Sequence, residues 1–139
     1  MLLKMKIITA EVIGYINLFE SLTRARVKGC HQGDQILIFV VHEGEAGKAI
    51  GKKGENIRRL THLLKKRIKV VEFNEDPVKF VSNLIFPIKA DIRLEDEKTV
   101  VIEGKGAKFK QAVLGTERKN LKEIQSIVSE YFDVTIEVK

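Results

Sequence analysis

Near the start of the chain, Val12, Ile16, Phe19 and Leu22 recur at helical spacing after Thr9, a side chain suited to cap a helix. Two extended segments follow, over 24–30 and 35–41, joined by the turn-forming sequence His31-Gln32-Gly33-Asp34. The second contains Ile-Leu-Ile-Phe-Val-Val without a polar interruption, which predicts a strand buried on both faces. A short helix over 45–50, a turn over 51–54 and a longer helix over 55–66 come next, the last turning Ile57, Leu60, Leu63 and Leu64 inward. A strand over 69–73 ends this series. Asp76-Pro77 then reads as a helix cap followed by proline in the first turn, opening a helix that holds Val78, Val81, Leu84 and Ile85. Strands over 88–94 and 99–103 flank the acidic turn Glu95-Asp96-Glu97. A helix over 108–114, a turn over 115–118, a helix to residue 131 and the alternating strand Val134, Ile136, Val138 complete the pattern.

The second series repeats the first at a spacing of 64 residues. Ile50-Gly51 becomes Leu114-Gly115, Asn56-Ile57 becomes Asn120-Leu121, and Leu60, Leu63 and Leu64 become Ile124, Ile127 and Val128. Both halves read helix, strand, strand, helix, turn, helix, strand. We therefore expect an α+β fold of two tandem units, residues 1–74 and 75–139, each a three-stranded sheet covered on one side by about three helices. Units this small are close to the lower limit for independent stability, so they are expected to pack together. The copies diverge at one informative place: Gly54 in the first turn is Arg118 in the second.

Charge sharpens that divergence. Residues 1–73 hold 14 Lys and Arg against 7 Asp and Glu, while residues 74–139 hold 11 against 12. Between Lys48 and Lys69 there are nine basic residues and one acid, Glu55. A basic surface centred on a glycine-flanked turn points to a polyanionic partner held mainly by the first unit. Within that turn, Gly51 allows one helix to end in a left-handed conformation, and Gly54 lets a phosphodiester approach the backbone beside the opening amides of the next helix. Lys48, Lys52, Lys53 and Arg58 supply positive charge, and Ile50 and Ile57 offer an apolar floor for unstacked bases. In the second turn, Glu117 opposes phosphate. Gly115, Arg118 and Lys119 remain as a secondary contact, weaker than the first.

Other chemistries fit poorly. A P-loop would need glycine at Ala46 and Ser or Thr at Lys53. His31, His42 and His62 fall on different elements without ligand spacing to cysteine or carboxylate. The single cysteine, Cys30, reads as a small strand residue and forms no internal disulfide, in keeping with a reducing compartment. No apolar run approaches the roughly 18 residues of a membrane span, and the opening apolar stretch is short for a signal peptide. Neither an enzymatic activity nor a metal or other cofactor is expected.

The segment Ala49-Ile50-Gly51-Lys52-Lys53-Gly54-Glu55-Asn56-Ile57, placed between two helices after two strands, resembles a KH domain of the type II arrangement. The tandem resembles the NusA family of transcription factors in its short archaeal form, including the opening Met5-Lys6-Ile7-Ile8 and Tyr15-Ile16-Asn17-Leu18-Phe19-Glu20. That resemblance implies single-stranded RNA, about four nucleotides per groove, with the backbone held by the G-x-x-G turn. It further implies a role on the nascent transcript in elongation, termination or antitermination, beside RNA polymerase or its elongation complex. A cytoplasmic location is expected, with a monomer the expected but open oligomeric state. A ribosome-associated KH protein, acting in ribosome assembly or translation, is the alternative.

Overall fold

The computed structural model describes residues 9–33 and 35–139 and divides the chain into two compact units, Met1–Phe73 and Asn74–Lys139. The opening segment Met5-Lys6-Ile7-Ile8 and Asp34 lie outside the described residues.

In the first unit, helix α1 (Ala10–Thr23) begins as the sequence requires, with the Val12 amide donating to Thr9 Oγ1 at 3.1 Å. Strands β1 (Val27–Gln32) and β2 (Ile36–Val41) pair antiparallel, and β3 (Arg67–Glu72) joins β2 in parallel. Between β2 and β3 the chain forms α2 (Ala46–Ile50), a tight turn at Lys52–Gly54 and α3 (Glu55–Leu64). The sheet order is β1-β2-β3. Every residue from Leu37 to Val41 is buried, as the uninterrupted apolar run demands. Leu37, Phe39 and Val41 meet Val12, Phe19, Ala49 and Leu60 in the helix-side core, where the Phe19 and Phe39 rings stack at 4.1 Å. Cys30 is buried and forms no disulfide.

The second unit uses the same order. Helix α4 (Pro77–Ile85) is capped by Asp76, strands β4 (Asp91–Glu95) and β5 (Thr99–Glu103) pair antiparallel, and β6 (Thr135–Val138) runs parallel to β5. Helices α5 (Ala107–Leu114) and α6 (Lys119–Ser129) flank a second tight turn at Thr116–Arg118.

Several element ends move from their sequence-based positions for local reasons. The strand expected from residue 24 starts at Val27, because the Arg24 amide still donates to Glu20 O and the Ala25 amide to Thr23 Oγ1. His31 and Gln32 extend that strand instead of turning. Helix α3 stops at Leu64, where Lys65 turns left-handed and its amide closes on Thr61 O, so β3 begins two residues early at Arg67. The strand expected from residue 88 begins at Asp91, since the Ile88 amide is held by Ile85 O at 2.9 Å.

One core assignment also changes. Leu63 is 54% exposed, because Leu60 and Leu64 take the inward face and Leu63 lies beside Arg59 and His62 over a shallow depression of about 310 Å³. Val78 is only half-buried, while Phe80 is fully buried and meets Tyr131 edge-on at 5.5 Å. No helix among the described residues is long and apolar enough to cross a membrane.

Candidate nucleic-acid interface

The two turns share one backbone path. Gly51 (φ 80°, ψ 170°) matches Gly115 (71°, 177°), and Lys53 (54°, 28°) matches Glu117 (54°, 31°). Gly54 (73°, 17°) matches Arg118 (59°, 24°). The conformation at Gly51 is thus an extended one with positive φ rather than the left-handed helical one expected from its position, and it is open essentially to glycine alone.

What fixes this path is a residue to which the sequence reading gave no role. Asn56 Nδ2 donates to Lys48 O at 3.1 Å, tying the start of α3 back to the last turn of α2. A Cβ on Gly51 would lie 2.8 Å from Asn56 Cγ, so the glycine must be bare for the asparagine to dock. Asn120 repeats the arrangement, donating to Ala112 O at 3.2 Å beneath Gly115. The signal was visible as Gly-Asn identity at the repeat spacing, but a repeat cannot say which atoms meet.

Gly54 differs in kind. A Cβ there would meet only Arg58 Nη1, at an ordinary 3.5 Å, and the same backbone carries arginine in the second unit. Intramolecular packing needs Gly51 without a side chain. It does not need Gly54 so. The remaining cost at Gly54 is the positive φ, about 1 kcal/mol for an ordinary residue.

Around this bare backbone, Lys52 and Lys53 are exposed, and no side chain caps the N-terminus of α3. Ile50 is 40% exposed and Ile57 half-buried, flanking the turn as expected. Arg58 does more than extend the positive edge. Its guanidinium donates to Lys53 O, bracing the turn from inside. Lys48 is also shared with the fold: its ammonium lies 3.3 Å from Glu45, which accepts from the Arg26 amide at 3.0 Å. That amide, then Lys48 and Arg26 charge, holds the Glu45 carboxyl below the usual carboxylate range.

In the second unit, Leu114 and Leu121 replace Ile50 and Ile57 and floor a groove of about 390 Å³ between the helices and β6, with Lys110, Arg118 and Glu137 also lining it. Gly115, Arg118 and Lys119 lie at the turn, the last two exposed. Glu117 projects where Lys53 stands in the first unit.

Residues 14–79 match the KH domain family. The chain is 30% identical to the probable transcription termination protein NusA of Methanocaldococcus jannaschii, over 92% of this chain and 72% of that protein. It is 33% identical to the protein of that name from Methanococcus vannielii, over 82% and 68%, and 30% identical to that from Thermoplasma acidophilum, over 93% and 92%. The crystal structure of APE1850 matches 95% of this chain and 100% of its own at a TM-score of 0.71 and 34% identity. Likeness of this extent in sequence, carried on a KH turn, places the chain within a family: it belongs to the NusA family.

Proposed function

We propose that the chain binds single-stranded RNA through the first turn and acts on the nascent transcript beside RNA polymerase. It is an RNA-binding protein associated with transcription, as its NusA relatives and KH domain support. The finer reading makes residues 1–74 and 75–139 two type II KH domains, the first the principal RNA site and the second a weaker one, in a non-enzymatic cytoplasmic monomer. The observation that carries it is Gly54: a backbone position left bare where packing inside the protein has room for a Cβ, between two exposed lysines and the uncapped N-terminus of α3. A phosphodiester can approach that backbone closely, Lys52 and Lys53 neutralise it, and Ile50 and Ile57 receive bases.

Lys52→Asp with Lys53→Asp tests this. Both side chains are exposed, so stability should change by only about 0.5 kcal/mol per site. Binding of a short oligoribonucleotide by this turn should disappear, leaving only weak residual affinity, while the thermal melt stays in place. Undiminished affinity at low salt would remove the turn from the interface. Co-purification with RNA polymerase rather than with ribosomal subunits tests the transcriptional assignment.

A further inference from the structure

The second groove runs along an edge strand, and the backbone of that strand is already engaged. Sheet pairing turns Thr135, Glu137 and Lys139 towards β5; the Thr135 amide donates to Lys98 O at 2.8 Å and the Lys139 amide to Ile102 O at 3.0 Å. Alternation then directs the peptide groups of Val134, Ile136 and Val138 outward. Two of these are taken by one side chain of α6. The Ile136 amide donates to Gln125 Oε1 at 2.7 Å, and Gln125 Nε2 donates to Val134 O at 3.0 Å. Ser129 Oγ accepts from the same nitrogen at 2.9 Å, holding the carboxamide in place.

A carboxamide presents an acceptor next to a donor in one plane. The Watson–Crick edge of an unstacked nucleobase presents the same kind of pair, and that edge is what proteins read in single strands. The first unit has no counterpart to Gln125. At the repeat position stands Thr61, whose hydroxyl turns back onto its own helix at Ile57 O, 2.8 Å away. Ile68 and Val70 occupy the outward positions of β3, and no side chain among the described residues caps them.

We propose that Gln125 is a specificity-determining residue that stands in for a nucleobase on the edge of β6 and so limits what the second groove can bind. With Gln125 in place, RNA has the apolar floor at Leu114 and Leu121 and the cations of Lys110 and Arg118, but loses the backbone donor and acceptor that read a base. The second unit is then weak because its edge is filled, in addition to any repulsion from Glu117. This rests on the reading of the first turn as an RNA site and extends it to the second.

The test uses the full chain carrying Lys52→Asp and Lys53→Asp, so that residual binding comes from elsewhere. Into this background go Gln125→Ala, which preserves helix propensity, and separately Gln125→Thr, the residue of the first unit. Affinity for a short mixed-sequence oligoribonucleotide should rise about tenfold, the scale of two hydrogen bonds regained. Amide hydrogen exchange at Ile136 gives a second readout: fast in the variants, slowed again by RNA, and unresponsive to RNA with Gln125 present. No gain from either variant, with Ile136 exchange indifferent to RNA and the melt intact, overturns the proposal while a loss on Lys52→Asp and Lys53→Asp leaves the first site standing. Indifference of the parent chain to the two lysine changes overturns the reading of the first turn instead.

Discussion

The two turns trace the same backbone with different side chains, which separates what the fold needs from what a ligand needs. Gly51 and Gly115 are glycine in both copies because Asn56 and Asn120 dock against them. Gly54 and Arg118 show that packing at the fourth position tolerates a side chain, so within the protein only the positive φ favours glycine there. Formal charge tells a similar story only when the window is widened. Over the four-residue turn and the residue after it, Lys52, Lys53 and Glu55 balance to +1, and Glu117, Arg118 and Lys119 also balance to +1. Across Lys48–Lys69, nine basic residues face one acid, whereas residues 112–133 hold three against four. The residues after the second helix of each pair, Lys65, Lys66, Arg67 and Lys69 against Glu130 and Asp133, create most of the electrostatic difference between the units.

The largest expected effect breaks this comparison directly. Gly54→Asp in the full chain should lower RNA affinity on the order of 100-fold, by placing a carboxylate at the point of backbone approach. Arg118→Asp should change it little. Both variants should fold, since the site has room for a Cβ and the second copy already holds a longer side chain. Equal losses in a binding assay would make the second turn a working contact and end the distinction drawn here.

A smaller effect separates the two asparagines. Asn56→Ala releases the Lys48 carbonyl and should cost about tenfold in affinity, in line with one hydrogen bond and a loosened turn. Asn120→Ala breaks the same bond in the second unit and should cost a similar amount of stability but almost no affinity. Thermal melts run beside binding titrations read both quantities.

Salt dependence sharpens the same contrast. If about two to four phosphates are neutralised, log affinity against log salt should slope at about −1.4 to −2.8, from roughly −0.7 per phosphate on a single strand. Changing Lys52 to Ala should flatten the slope, and changing Lys119 to Ala should leave it. A flat response in the parent chain would instead assign this surface to protein docking.

The smallest effect is acid sensitivity, which both units should show for the same reason. The Arg26 amide, with Lys48, holds Glu45 below its usual pKa, and hydrogen bonding and charge from Arg93 do so for Glu103, 2.7 Å away. A depressed carboxyl contributes stability above its unfolded pKa and loses it as pH falls through the folded value. Melting temperature should therefore decline as pH drops through and below the ordinary carboxylate range. Because Glu103 and the cations beside Glu45 are exposed, the change should be modest, and Glu103→Gln should remove part of it.

Much of the architecture was legible because it depends on periodicity. The apolar run from Ile36 to Val41 could only be an interior strand, and Asp76-Pro77 could only start a helix efficiently. The repeat spacing located both turns. Less legible were Leu63 and Phe80, since a helix of two or three turns offers several inward faces and packing chooses among them. Arg58 was readable as charge, but its contact with Lys53 O was not.

The sequence by itself determined two copies of one helix-strand-strand-helix-turn-helix-strand unit, the basic bias of the first and the loss of its second turn glycine in the other. These are properties of neighbours along the chain: spacing, composition and local conformational preference. Only the tertiary structure decided that Gly51 answers to Asn56 while packing leaves room for a Cβ at Gly54, and that Gln125 closes the edge of β6. Those facts depend on distances between segments that the fold brings together, and a side chain's partner across such a gap is set by the path of the backbone rather than by residue type.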